Sequence, residues 1–295
     1  MEHKLLSEHW SAAKGIFRER AKRTEPEYPT GIKFLDELTD GITKGEIWVI
    51  AGKSSGGKTS LALQMAMSFA ENKDHTVVFL SLEMKGWELA TRLFCSEHNI
   101  PYIDLRTGIF PDGFEEKDKK FQEKLTYLDF EIFEFGYNFV EVEQILKQHY
   151  NKKLPDVIFV DFLQLIEWVS FKDERLAIME YMRRFKELAK RLNVAIVIIS
   201  QLRRLPSGAD YQREPDMIDL KGSGAIETTA DKVILIYKKE TKLMSLGQET
   251  ITTQHFINLA KNRQGETKCV EVRFIGQFYR FEEYYEKPST YPDNY

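Results

Sequence analysis

Hydrophobic and polar positions divide the chain into two patterns. Residues 4–22 carry Leu6, Trp10, Ala13 and Phe17 at alternating steps of four and three, the signature of an amphipathic helix. The segment Arg23-Thr24-Glu25-Pro26-Glu27-Tyr28-Pro29 ends it, because two prolines and the residues before them resist helix. From Glu46 onward, short runs rich in β-branched and aromatic residues alternate with helical stretches. The candidate strands are Ile47–Ala51, Val77–Ser81, Phe130–Phe135, Val157–Asp161, Ala195–Ser200, Lys232–Tyr237, Gln254–Leu259 and Val270–Ile275. The early runs are continuously apolar, as strands buried on both faces are. The spacing among the first five leaves room for crossover helices, which predicts a mostly parallel sheet covered on both sides. The later strands lie closer together, and Phe274-Ile275-Gly276-Gln277-Phe278 reads as a hairpin turn, so the last part is expected to be antiparallel. The expected organisation is a helix and connector over 1–28, one α/β domain over 29–284 and a polar tail over 285–295. The leading helix needs an apolar surface, either on its own domain or on a neighbouring subunit.

Composition narrows this picture. Over 295 residues, 42% hydrophobic and 30% charged residues suit a globule with a sizeable core rather than a disordered or fibrous chain. There is no apolar run long enough for a transmembrane helix and no secretory leader pattern, so no membrane partner is expected. Cys95 and Cys269 are too few for a disulfide framework and fit a reducing cytoplasm. A formal net charge of −4 excludes a polycation that coats nucleic acid, so contact with DNA has to come from a local patch.

The strongest chemical signal is Gly52-Lys53-Ser54-Ser55-Gly56-Gly57-Lys58-Thr59, which fits G-x-x-x-x-G-K-[ST] between a strand and a helix that begins at Ser60. Glycines let the backbone N–H groups converge on phosphate oxygens at a helix N-terminus. Lys58 is expected to bridge the β- and γ-phosphates of ATP, and Thr59 to offer its hydroxyl to Mg²⁺. Asp161, closing the apolar strand Val157–Asp161, is the expected acidic partner of that Mg²⁺. Glu83, after the second strand, is the candidate general base, and Gln201, after the fifth, is placed to sense the γ-phosphate through its amide.

These elements resemble the ATPase domain of the DnaB family of hexameric replicative helicases, a RecA-like fold. The resemblance runs from about Pro29 to Phe281. It rests on Thr30-Gly31-Ile32, the P-loop, Ser81-Leu82-Glu83-Met84, Arg92-Leu93-Phe94-Cys95, Asp161-Phe162-Leu163-Gln164-Leu165, Ser200-Gln201-Leu202, Asp219-Leu220-Lys221-Gly222-Ser223-Gly224, Lys261-Asn262-Arg263 and Arg280-Phe281. It implies an ATP- and Mg²⁺-dependent motor that assembles as a homo-oligomeric ring, with Glu83 as catalytic base and Gln201 as γ-phosphate sensor. Lys261 and Arg263, alternating on one strand face, would reach the neighbouring subunit's ATP, with Arg263 as arginine finger. Single-stranded DNA would pass through the ring, held by Lys221, Gly222 and Gly224, with Arg203, Arg204 and Arg213 adding positive charge. A helicase loader is a further expected partner class. The chain departs from the family in two places. Lys221-Gly222 stands where the family has Arg-Glu, which leaves a point charge in place of a planar fork. The family's N-terminal collar is not in this chain, which removes the basis for expecting primase coupling; residues 4–22 look instead like the family's linker helix. Within the same fold, a recombinase-like or clock-like ATPase without unwinding, and a nucleotide-binding accessory of a larger helicase, are the alternative functions.

Overall fold

The computed structural model describes residues 5–71, 75–134, 139–150, 154–166, 173–203, 213–245 and 248–284. Helix α1 (Leu6–Arg20) leads through the proline-containing connector to α2 (Lys33–Thr39) and then to the sheet. Strand β1 (Ile47–Gly52) feeds α3 (Lys58–Ala70), and β2 (Thr76–Ser81) is followed by α4 (Gly86–His98), α5 (Tyr102–Arg106) and α6 (Phe114–Leu125). Next come β3 (Asp129–Glu134), α7 (Phe139–Tyr150), β4 (Val157–Asp161), α8 (Glu174–Leu192), β5 (Ala195–Gln201) and the short α9 (Ser223–Thr229). Strands β6 (Lys232–Ser245), β7 (Gln248–Asn262), β8 (Lys268–Ile275) and β9 (Arg280–Glu283) complete the chain's described part.

All nine strands form one sheet in the order β3-β2-β4-β5-β1-β6-β7-β8-β9. Strands β3 to β6 are parallel across that order, and β7, β8 and β9 run antiparallel. This is the mostly parallel sheet with an antiparallel end that the strand spacing predicted. The pleat divides the apolar runs between two cores. Trp48, Ile50, Phe79, Phe159, Val197 and Ile199 face α3 and α4, where Leu61, Met65, Phe69 and Leu93 complete one core. Val49, Val78, Val160 and Ile198 face α8, where Met182, Phe185 and Leu188 complete the other. Burying both faces explains why β1, β2, β4 and β5 read as unbroken apolar runs.

Three expectations change. Strand β3 is an edge strand and only partly buried, so it alternates apolar and acidic residues; Phe135 and the tail over 285–295 lie outside the described residues. Strands β6 and β7 extend well beyond their apolar stretches as a long antiparallel pair. Helix α1 buries no residue: Leu6 is 85% exposed and Trp10 57% exposed. Trp10 and Phe17 touch edge to face at 6.4 Å, but the helix packs on nothing in its own domain. Its only anchorage lies where the helix gives way to the connector, with Arg20 and Arg23 paired to Asp40 at 3.3 and 3.2 Å. Docking on its own domain is thereby excluded for the single chain.

Candidate functional site

The carboxyl ends of the parallel strands gather the predicted nucleotide residues. Gly52 ends β1, and Gly57 caps α3 with φ +89°, a conformation few side chains tolerate. A Cβ at Gly57 would also lie 2.7 Å from the Phe281 ring, so β9 closes tightly over the loop and only glycine fits. Within the loop, Gly56 N donates to Lys53 O at 3.1 Å, and Ser55 adopts φ +59°. Ser54 and Lys53 complete the turn, and Thr59 and Ser60 lie in the first turn of α3. Lys58 Nζ donates back to Lys53 O at 3.0 Å, closing the loop on itself. Burial depresses the Lys58 pKa, against the opposing pull of Asp161 and Glu83.

Asp161 lies farther along the sheet than adjacency would suggest. Strand β5 is inserted between β1 and β4, yet Thr59 at the start of α3 reaches over it, and its Oγ1 donates to Asp161 Oδ2 at 2.8 Å. Asp161 is 1% exposed, and its Oδ1 has no hydrogen-bond partner. Burial pushes its pKa up to about 6; nearby Glu83 adds to the rise, while Thr59, Lys58 and Arg92 oppose it. A buried carboxylate oxygen without a donor, beside a hydroxyl, suits a hard cation that takes its remaining ligands from water and phosphate. No cluster of three His, Cys, Asp or Glu occurs among the described residues, so such a cation would depend on the bound nucleotide.

Glu83 is brought to the same place by a short turn. Strand β2 pairs with β4 so that Ser81 faces Asp161, and Leu82 N donates to Asp161 O at 2.8 Å. Ser81 Oγ donates to Met84 O at 2.5 Å and tightens the turn. Glu83 is exposed there and makes no hydrogen bond among the described residues. Gln201 ends β5 level with Gly52, between the P-loop strand and the Asp161 strand.

Sequence reasoning assigned no role to two residues here. Gln164 braces the strand end: its Nε2 donates to Ser200 Oγ at 2.8 Å, and its Oε1 accepts from Gln201 N at 3.2 Å. Arg92, on α4, lies over the Tyr279 ring at 4.3 Å and has a buried Nε without an acceptor. Only an uncancelled cation near an acidic pair, which requires three dimensions to see, would have marked it.

The predicted DNA residues divide. Lys221 N donates to Gln201 O at 3.3 Å, Leu202 bridges Leu220, and Arg203 N donates to Asp219 O at 2.7 Å, so the sensor strand is zipped to this loop. Lys221 Nζ meets Glu174 at 3.3 Å, and Gly222 turns with φ +74°. Gly224, in the first turn of α9, has open space around it. Arg203 is exposed, and Arg204 lies outside the described residues. Arg213 instead grips the buried Asp219 with both terminal nitrogens. Burial works against the Asp219 charge, but Arg213 holds its pKa below the usual carboxylate range. In this structure Arg213 is a loop fastener, which corrects its reading as spare positive charge.

Lys261 and Arg263 stand apart. Asn262 pairs with Lys232 on β6, which in turn pairs with Trp48 at the start of β1. Arg263 therefore sits about 15 Å along the sheet from its own P-loop, at ~3.3 Å per residue. Its Nη1 donates to Asp231 Oδ1 at 2.9 Å and its Nη2 to Thr228 O at 3.0 Å. Lys261 Nζ donates to Glu227 O and Ala230 O at 2.5 and 2.6 Å. Burial, then Arg263, lowers the Lys261 pKa.

A family model for the DnaB-like helicase C terminal domain matches residues 28–283. The chain is 32% identical over 264 residues to the replicative DNA helicase DnaB of Leifsonia xyli subsp. xyli, covering 86% of this chain and 55% of that protein. It is 32% identical over 293 residues to the DnaB of Helicobacter pylori, covering 86% and 59%. The chain thus spans somewhat more than half the length of these relatives. Among solved structures, a free-standing ATPase domain shares the fold with a TM-score of 0.80 at 24% identity, covering 96% of this chain and all of that one. A DnaB-like replicative helicase, solved to describe its interactions with primase, superposes with a TM-score of 0.77 at 25% identity, covering 95% and 67%. With a RecA-like sheet, a P-loop facing a buried carboxylate and a family match across nearly the whole described domain, the chain belongs to the DnaB-like helicase C-terminal domain family.

Proposed function

We propose that this chain is the ATP-hydrolysing motor of a ring-forming replicative DNA helicase, working in the cytoplasm. The observation that carries the reading is the Thr59–Asp161 contact, with Asp161 Oδ1 left over beside Lys58 and Glu83. Thr59 and Asp161 would hold Mg²⁺ with the nucleotide, which supplies charge neutralisation at the β- and γ-phosphates. The P-loop N–H groups and Lys58 bind and orient the triphosphate. Glu83 accepts the proton of the attacking water, and Gln201 orients the γ-phosphate.

Arg263 is too far from its own P-loop to serve it, which favours a pocket completed by the next subunit. Lys261 and Arg263 then donate to the neighbour's triphosphate. Single-stranded DNA is held by Lys221 and the Gly222–Gly224 turn, with Arg203 nearby. The backbone bond from Lys221 to Gln201 supports direct coupling of hydrolysis to that loop. Backbone tracking of this kind carries no sequence preference and weakens with salt.

ATP-dependent strand displacement on a forked DNA with Mg²⁺ tests the reading. Displacement is expected for the wild type, and Glu83→Gln should lose turnover by about 10²–10⁴-fold while still binding ATP. Hydrolysis stimulated by single-stranded DNA without any displacement would mark a ring or filament ATPase of another kind. Nucleotide binding with no turnover at any salt concentration would overturn the motor altogether.

A further inference from the structure

Asp231 occupies the junction between α9 and β6 and is 5% exposed. Its Oδ2 accepts from Ile47 N at 2.8 Å and from Lys186 Nζ at 2.5 Å. That leaves Oδ1 for Arg263 Nη1, while the Asp231 carbonyl accepts from Arg263 N at 3.0 Å. One buried carboxylate thus joins the start of the P-loop strand, the long helix α8 and the side chain proposed to act on the neighbour.

The remaining contacts come from the C-terminal end of α9. Thr228 O takes Arg263 Nη2, and Glu227 O and Ala230 O take Lys261. Carbonyls at a helix C-terminus favour cations, so these two side chains have a receptor that does not depend on nucleotide. Arg263 remains half exposed, and one N–H of each terminal nitrogen is engaged. The other donors of its fork stay available for a phosphate. The clamp aims the side chain without consuming it. At the other end of α9 stands Lys221-Gly222.

Building on the reading of Arg263 as a finger, we propose that Asp231 is its positioning residue. The carboxylate fixes the guanidinium plane, and α9 sets where that plane meets the adjacent triphosphate. A shift of α9 on the DNA-loop side then moves the acceptors of both cations together.

In Asp231→Asn a single oxygen must serve Ile47 N–H, Lys186 and Arg263, and the new amide nitrogen faces a donor. Single-stranded-DNA-stimulated hydrolysis by the assembled full chain is the measurement. Asp231→Asn should lose turnover roughly 100-fold, the scale of a small misplacement of a catalytic group, at unchanged KM for ATP. Asp231→Asn/Arg263→Ala should be no slower than Arg263→Ala alone. Mixing Asp231→Asn subunits with Lys58→Ala subunits should restore turnover, because the second kind lends an intact finger to the first kind's intact pocket. General damage to the fold would give no such rescue. If Asp231→Asn fails to assemble, Asp231→Asn/Lys186→Met removes both charges of the buried pair and carries the same test.

Wild-type turnover in Asp231→Asn beside a dead Arg263→Ala would overturn the positioning role alone. Additive losses in the double variant, or absence of rescue by Lys58→Ala, would do the same. Wild-type turnover in Arg263→Ala would overturn the finger first, and the role of Asp231 with it.

Discussion

The two ends of the parallel strands are built to opposite rules. At the carboxyl ends, ionisable groups are left with work to do: Asp161 Oδ1 has no donor, Glu83 has no hydrogen bond, and Lys58 is held only by a loop carbonyl. At the amino ends, the charges are satisfied in place. Lys232 is fully buried against Glu46 and Gln264 at 2.6 and 3.0 Å, with Trp48 alongside, and Lys186 and Arg263 share Asp231. Unmade hydrogen bonds in a buried site cost stability, so their concentration at one edge marks where a ligand is expected. The amino edge is finished structure whose outermost side chain, Arg263, is still half exposed. A site that lacks a cation at one edge and a cation presented at the other fit each other between copies rather than within one.

Arg263→Ala breaks this comparison most severely. Turnover by the assembled protein should fall about 10³–10⁵-fold. ATP affinity should change little, because the cis pocket keeps all its own groups. Equilibrium binding of a fluorescent ATP analogue beside steady-state hydrolysis separates the two. A parallel loss of binding would place Arg263 in its own pocket, against the separation along the sheet.

Much of the carboxyl edge was legible in the sequence because its residues follow strands, and strand ends are where apolar runs stop. The P-loop, Glu83, Asp161 and Gln201 all announced themselves in this way. What remained hidden depends on long-range placement. No spacing rule reveals that β5 lies between β1 and β4 and that Thr59 reaches across it. Gln164 looked like a residue in an apolar motif, and only the fold sets its amide against Ser200 and Gln201. Arg213 misled because a loop arginine and a buried aspartate six residues on do not declare their pairing. Helix α1 was legible as a helix, but its periodicity says nothing of which surface it covers.

Gly222 sharpens the link between the edge and the DNA loop. Its φ is +74°, and a Cβ would lie 2.5 Å from Ile178 Cγ2 on α8. Gly222→Ala should therefore cost roughly 2–4 kcal/mol, from left-handed strain and overpacking together. Chemical denaturation reads that loss. Gly224→Ala, with open space around it, is the control and should cost about 1 kcal/mol or less.

Asp161 shows the carboxyl edge paying in stability for its unmet charge. Its folded pKa, about 6, lies above the ordinary 3.8 because of burial. Between those values the folded chain retains a proton that the unfolded chain has released. Stability of the nucleotide-free chain therefore falls as pH rises through that window, by roughly 2–3 kcal/mol, and stays low above it. Asp161→Asn should recover about 1–3 kcal/mol at pH 8 while abolishing Mg²⁺-dependent turnover. Melting temperatures of both proteins at pH 5 and pH 8, without nucleotide, test this. Equal pH dependence in the two would dissociate the buried carboxylate from the effect.

The smallest effect is expected in α1, which extends the contrast from edges to surfaces. A core leucine or tryptophan replaced by serine would cost several kcal/mol, about 2–5 by the scale of large-to-small core changes. In α1 the apolar residues Leu6, Trp10 and Phe17 are exposed and the helix touches its own domain only near the connector. Leu6→Ser and Trp10→Ser should therefore change the stability of the isolated chain by about 0.5 kcal/mol or less. The same substitutions should shift the mass distribution toward smaller species when ATP and single-stranded DNA are present, measured by light scattering. The helix stabilises nothing within one copy, so any function of its apolar face has to appear between copies. A large loss of stability in the dilute single chain would mean that α1 folds back on its own domain, and the face would then be core rather than interface.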